Sequence, residues 1–304
     1  MSYVIRTHGI TKAFDNNEVV SNVDMNVKRN EIYGFLGPNG AGKTTIMKMI
    51  TNLLKPTSGE IEIFGERLTH SSYNVLKRMG SIIEYPAFYD HLSGAANLEL
   101  HCEYMGYYSP NSVQNALEML DLTETGNKAV RSYSLGMKQR LGLARAVLTK
   151  PELLILDEPM NGLDPAGIKY IRDLLKMLCK ECGITILISS HILSEIENIA
   201  DTIGIINHGK MLRELTMQEV RDMNLSYVEL VAGNLKQAAY VLSEHLHINN
   251  FKIIDDKVIR IYDVATPTPE LSKSLVQSDV AIESMSKKSE SLEDYFIKMT
   301  TEDR

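Results

Sequence analysis

The sequence predicts a mixed α/β fold: a core of parallel strands and helices, broken by a helical insert and followed by a small α+β module of ferredoxin-like pattern. Three observations carry this expectation. The apolar runs LLILDEP and ITILISSH flank a helical stretch, and that βαβ alternation implies a parallel sheet. Residues 86 to 150 show helical periodicity with little strand signal. From about residue 217 the pattern becomes β-α-β-β-α-β-α, the order of a split βαβ module.

In chain order, YVIRTHGITKAF, EVVSNVDMNV and EIYGFLG read as strands, TTIMKMITNLL as a helix, and EIEIFG, after the turn PTSG, as another strand. AANLELHCEYM, VQNALEMLDL and KQRLGLARAVL supply the helices of the insert. Beyond residue 217, YVELVAG, LKQAAYVLSEHL, the hairpin FKIIDD with KVIRIYD, ELSKSLVQ, VAIESM and SLEDYFIKM complete the last module. The 304 residues suit about two domains, 1–216 with its insert at about 86–150, and 217–304.

Composition narrows the classes. A formal charge of -7, with both signs mixed along the chain, argues against nucleic acid as the main partner. The last module also lacks the aromatic pattern by which such sheets read RNA, so a dimerising or regulatory tail is the simpler expectation. No basic segment leads into an apolar run at the N-terminus, and no long uninterrupted apolar stretch occurs. A cytoplasmic protein is expected, with any membrane role borrowed from a partner. The three cysteines, Cys102, Cys179 and Cys182, suit a reducing compartment. The last two form C-x-x-C, but no second such pair exists. They close an amphipathic helix with an apolar stripe of Ile168, Ile171, Leu175, Leu178 and Cys182 and a C-cap at Gly183, so a structural role is expected.

The chemistry concentrates in short motifs. GPNGAGKTT, between an apolar strand and a helix, satisfies the phosphate-binding P-loop spacing through Gly37, Gly42, Lys43 and Thr44. Glycines at 37, 40 and 42 let backbone N–H groups converge on an anion at a helix N-terminus. Lys43 is placed to reach the outer phosphates and Thr44 to bind Mg²⁺. In LLILDEP, Asp157 ends an apolar strand where it can hold Mg²⁺ through water, and Glu158 follows as candidate general base. His191, after ITILIS and Ser190, falls at the same sheet edge as a candidate γ-phosphate contact. Ser134 and Gly136 in YSLGMKQRLGLARA stand before a helix whose N-terminus offers a second anion surface.

P-loop, YSLGMKQR, LLILDEP, NGLD and SSH, in this order, resemble the ATP-binding subunit of an ATP-binding cassette (ABC) transporter over residues 1 to about 215. That resemblance implies a P-loop NTPase fold with a RecA-like core and helical subdomain, ATP and Mg²⁺ as cofactors, and hydrolysis to ADP and phosphate. It implies that Phe14 stacks on adenine with Val19 or Val20 nearby. Gly37, Pro38, Asn39, Gly40, Ala41, Gly42, Lys43, Thr44 and Thr45 would hold the phosphates. Ser134, Leu135, Gly136 and Met137 match the signature that closes over ATP on a second protomer, and Asn161 to Asp164 match the D-loop at that interface. Two ATP molecules would thus be sandwiched in a homodimer docked on a separate membrane permease at the inner face of the cell membrane.

Two departures stand out. The signature, commonly LSGGQ, has Tyr133, Leu135 and Met137 at its variable places but keeps Ser134 and Gly136. Glu84, in SIIEYPAFYDHLSG, occupies the position of the usual Q-loop glutamine, adding a negative charge near phosphate and losing an amide donor. Glu84 with EYPAFYDHLSG, NGLDPAG and SLEDYF is similar to subunits of bacterial peptide-antibiotic exporters, the bacitracin-resistance and lantibiotic self-protection groups. Export of another drug, a lipid or an ion is the alternative within transport. A soluble cassette ATPase acting on ribosomes fits less well, since such chains usually carry two cassettes and this one has a single P-loop and signature. A P-loop kinase has no use for YSLGMKQR.

Overall fold

A computed structural model describes residues 2–15, 17–222, 226–263 and 266–289, and the chain divides into two compact units, 1–220 and 221–304. The first unit is built on two sheets. Strands β1 (Tyr3–Phe14) and β2 (Asn17–Lys28) form a long antiparallel ribbon. With β3 (Ile32–Leu36), α1 (Lys43–Ile50), β4 (Ser58–Ile63) and β5 (Glu66–Arg67) in place, the order of the antiparallel sheet is β2-β1-β4-β5.

After α2 (Tyr73–Leu76) comes β6 (Met79–Ile82), then the helices α3 (Gly94–Met105), α4 (Ser112–Met119) and α5 (Leu135–Val147) of the insert. Strand β7 (Leu153–Leu156), α6 (Pro165–Lys180), β8 (Thr185–Ser190), α7 (Leu193–Glu197), β9 (Thr202–Asn207), β10 (Lys210–Thr216) and α8 (Met217–Asp222) follow. The second sheet has the order β10-β9-β3-β8-β7-β6; its strands are parallel except β10, which returns antiparallel to β9.

Helix α1 is sandwiched between the sheets: Ile46, Met47, Met49 and Ile50 are fully buried with Ile5 and Ile63 of one sheet and Phe35, Ile155 and Leu187 of the other. Central strands are buried on both faces, which is why IYGFL, LLIL and TILISS read as unbroken apolar or small runs rather than alternating ones. Their C-terminal ends line up at one edge, where Gly37, Asp157 and His191 emerge.

Sequence periodicity overlooked β6, β9 and β10. MGSI and TIGIIN are no shorter than LLIL and TILISS, but each carries a glycine, Gly80 or Gly204, that interrupts its apolar run and weakens the strand signal.

The second unit holds β11 (Ser226–Ala232), α9 (Leu235–Tyr240) running into a π-turn at Val241–His245, β12 (Phe251–Ile253), β13 (Val258–Ile261), α10 (Thr268–Gln277) and β14 (Ile282–Ser289). Its sheet order is β12-β13-β11-β14, with every pairing antiparallel. Val228, Leu230, Ile259 and Ile261 face Ala238, Val241, Leu271 and Leu275 in a core of its own, the β-α-β-β-α-β arrangement of a ferredoxin-like module. The expected helix at SLEDYFIKM lies outside the described residues. The division between units falls within α8, whose Met217 and Val220 are buried and whose Met217 N–H donates to Asp201 O at 2.8 Å.

Helix α6 corrects one expectation. It ends at Lys180, two residues before Cys182, so the buried stripe is Ile171, Leu174, Leu175, Leu178 and Cys179, while Cys182 is exposed. Gly183, with φ of 68°, turns the chain after the C-cap Glu181 rather than capping the helix itself. All three cysteines are free, and burial pushes the Cys179 thiol up to about 11, so the C-x-x-C spacing forms no paired thiol site.

Candidate nucleotide site

The loop between β3 and α1 is shaped by backbone that side chains resist. Gly40 and Gly42 have φ of 81° and 105°, and Gly42 is the N-cap of α1, so the helix opens on the loop's concave side. The turn joining β9 to β10 braces it: Gly209 N–H donates to Ala41 O at 3.0 Å and Gly209 O accepts from Ser21 N–H at 2.8 Å. No motif expected from the sequence covers that bracing turn, whose local signal is the dipeptide His208–Gly209 between the apolar strand TIGIIN and the mixed strand KMLRELT. Pro38, Asn39 and Gly40 are exposed, Gly37, Ala41, Gly42 and Lys43 are buried, and Thr44 and Thr45 are half-buried.

Lys43 is curled over its own loop. Its Nζ donates to Gly37 O at 2.7 Å and Pro38 O at 3.3 Å, and lies 3.2 Å from Glu158 Oε1. That carboxylate oxygen is buried and off the line a hydrogen bond needs, so it is held by charge alone. The other oxygen, Oε2, is 2.9 Å from His191 Nδ1. Glu158 itself has φ of 49°, a left-handed backbone that costs a non-glycine residue energy, and its N–H is fixed by Ser189 Oγ at 2.9 Å.

The same Ser189 hydroxyl donates to Asp157 Oδ1 at 2.7 Å, while Thr44 Oγ1 donates to Asp157 Oδ2 at 2.7 Å. P-loop lysine, P-loop threonine, both carboxylates and the histidine therefore form one network across the ends of β3, β7 and β8. Thr44 and Asp157 present only hard oxygen donors, the set that suits Mg²⁺ completed by phosphate and water. Among the described residues no cluster of three or more His, Cys, Asp or Glu offers a self-contained metal cage.

Ser134, Leu135, Gly136 and Met137 sit elsewhere. Ser134 is the N-cap of α5, its Oγ accepting from Met137 N–H at 3.2 Å. Asp164 likewise caps α6, its Oδ1 accepting from Gly167 N–H at 2.9 Å. Both loops line one groove of about 600 Å³ with Arg140, Gly162 and Tyr170, in which none of the P-loop residues takes part. Tyr133 anchors the signature from below: it is 7% exposed and its hydroxyl donates to Thr125 O at 2.7 Å. Leu135 is 52% exposed, a large apolar side chain offered outward beside an anion-ready helix start.

Phe14 is 46% exposed with Lys12 Nζ 4.9 Å from its ring centroid. Val20 is fully buried and Val19 half-buried, beside Gly42. Glu84 has φ of 61°, and its carboxylate is engaged by Lys48 Nζ of α1 at 2.7 Å, a partner the sequence did not announce.

Fold and site define a P-loop nucleotide hydrolase whose signature surface stands apart from its own phosphate loop. Residues 20–161 match the profile of the ABC transporter family. The chain is 58% identical to an uncharacterized ABC transporter ATP-binding protein, YcbN, of Bacillus subtilis, covering 98% of this chain and 97% of that one. It is 44% identical to the bacitracin transport ATP-binding protein BcrA of Bacillus licheniformis, with 98% of each chain covered. Identity to the lantibiotic transport ATP-binding protein SrtF of Streptococcus pyogenes is 41%, over 69% of this chain and 90% of that one. Among solved structures, the dimeric, post-hydrolysis ATP-binding cassette MJ0796 with ADP and Pi superposes with a TM-score of 0.65 at 26% identity, covering 70% of this chain and 98% of that one. The chain belongs to the ABC transporter family as an ATP-binding subunit, and its reaction is the hydrolysis of ATP to ADP and phosphate.

Proposed function

We propose that this subunit drives export of a peptide antibiotic, of the bacitracin or lantibiotic kind, through a separate membrane permease, and so confers resistance. The observation that carries the reading is full-length similarity to a bacitracin transport subunit, through the last module as well as the cassette. In this reading the permease supplies the pathway for cargo; among the described residues no helix is long and apolar enough to cross a membrane.

The chemistry follows from the network. Glu158, wedged between Lys43 and His191, takes the proton of the attacking water, and His191 holds its carboxylate in line. Lys43, released from its own loop carbonyls, turns to the outer phosphates, and backbone N–H groups of the loop and the start of α1 hold the rest. Mg²⁺, when bound, is held by Thr44 and Asp157 and neutralises phosphate charge. Two copies face each other so that Ser134, Gly136 and the Asp164 loop of one close over the P-loop of the other. The exposed signature groove supports that reading, because its anion-ready helix start has no phosphate loop of its own chain to serve.

The permease is read as docking on the insert, at a groove of about 320 Å³ lined by Ala87, Phe88, Tyr89, Asn97, Leu100, His101, Tyr104 and Arg145. Arg145 stacks on Phe88 and donates to Ala87 O at 2.7 Å, so the segment after Glu84 is tied to the signature helix. The subunit is thereby peripheral to the inner face of the membrane, and the ferredoxin-like module is an accessory, regulatory or dimerising element.

Deleting the gene in its source strain and measuring growth inhibition by bacitracin and a lantibiotic panel tests the reading. Sensitivity restored to normal by the wild-type gene but not by Lys43→Ala supports it. Unchanged susceptibility to every peptide, with altered tolerance of a lipid, an ion or another drug, moves the cargo to that class.

A further inference from the structure

Glu84 places a carboxylate after β6, at the same sheet edge from which Asp157 and Glu158 leave β7. A free carboxylate there would repel the phosphates gathered by the P-loop. Its φ of 61° and the ion pair at 2.7 Å show how it is held: the side chain turns to Lys48. Lys48 stands four residues after Thr44 on α1, so the two share a helix face. The same helix that presents the phosphate-binding Thr44 thus carries the cation that restrains Glu84.

We propose that Lys48 is a positioning residue for nucleotide binding, whose ammonium group neutralises the Glu84 carboxylate and turns it away from the phosphates. The inference rests on the reading of the P-loop as the ATP site. Both side chains are substantially solvated, 35% and 58% exposed, so the pair adds little to folding stability. Its effect is electrostatic and appears where a second negative charge arrives. Lys48 then matters only because residue 84 is acidic, and that dependence is measurable.

Binding of a fluorescent ATP analogue with magnesium is compared in the full chain for wild type, Lys48→Met, Glu84→Gln and the double variant. Lys48→Met alone weakens binding about tenfold, the size expected of one uncompensated charge several ångströms from phosphate in a partly solvated site. The deficit shrinks as salt rises. Adding Glu84→Gln to Lys48→Met recovers most of it, so the two changes are strongly non-additive. The charge swap gives a second arm: Lys48→Glu weakens binding further, and Lys48→Glu with Glu84→Lys recovers.

Equal losses from Lys48→Met whether residue 84 is glutamate or glutamine, or no loss at all, overturn the proposal. Lys43→Ala separates the two levels. If it abolishes binding while the Lys48–Glu84 cycle is additive, only this inference fails; if it binds normally, the P-loop reading fails as well.

Discussion

His191 Nδ1 lies 2.9 Å from Glu158 Oε2, and the other oxygen of that carboxylate faces Lys43 Nζ at 3.2 Å. An ionised carboxylate only accepts, so Nδ1 is the donor, and the imidazole fixes the rotation of the Glu158 carboxylate. The histidine thus contacts the proposed base directly, in addition to the phosphate contact its place in the sequence suggests.

His191→Ala is expected to lower kcat about a hundredfold, toward the lower end of what a positioned acid–base group supplies, while ATP affinity changes little. Steady-state hydrolysis and nucleotide titration on the same preparation check this. Equal loss of binding and turnover would place the histidine in ground-state binding instead.

Ser134→Ala carries a cost apart from chemistry. The hydroxyl caps α5 through Met137 N–H, and losing such a cap costs about 1 kcal/mol. Denaturant unfolding should show that loss, and Ser134→Asp, which can still cap, should regain the stability but not the turnover, because it sets a charge where phosphate must come. Recovery of both would remove Ser134 from the nucleotide interface.

Much of this arrangement is legible in the chain and some is not. Gly37, Lys43, Thr44, Asp157 and Glu158 announce themselves because their geometry is local: a fixed spacing beside an apolar strand that ends at a sheet edge. The Lys48–Glu84 pair joins residues 36 apart through a left-handed turn, and no local pattern encodes it. Asp164 reads as a D-loop residue, yet its carboxylate also serves as a helix cap, since a single Asp ahead of Pro165 satisfies both descriptions. The period that puts Cys182 on a buried stripe runs past the end of its helix at Lys180. Periodicity names a face; it does not say where the face stops.

Stability should also carry a signature of Glu31, which is 7% exposed at the far end of β3 from the site. Burial raises its pKa above the ordinary 4.5, despite the Lys28 N–H and Thr202 hydroxyl that favour the anion. The folded state therefore holds the proton more tightly than the unfolded one. That contribution is fully present below 4.5 and is lost as pH rises through the raised value. Melting temperature measured against pH should fall less across that window in Glu31→Gln than in wild type. Parallel curves would contradict the assignment.

Thiol labelling separates the two members of C-x-x-C. Cys182 is exposed, whereas Cys179 is buried with its thiol pushed up to about 11. Iodoacetamide at neutral pH should modify Cys182 first in the native protein, as read by peptide mass spectrometry, and leave Cys179 until denaturant is added. Early labelling of Cys179 would mean that α6 opens readily.

The most direct test of the account is made on Glu158→Gln, with ATP turnover and sedimentation measured together in the presence of magnesium. The account predicts turnover reduced at least a hundredfold, retained ATP, and a shift from monomer to dimer on adding ATP, because the base is lost while the P-loop and the signature surface remain. Rapid hydrolysis by this variant, or a species that stays monomeric while saturated with ATP, would contradict it.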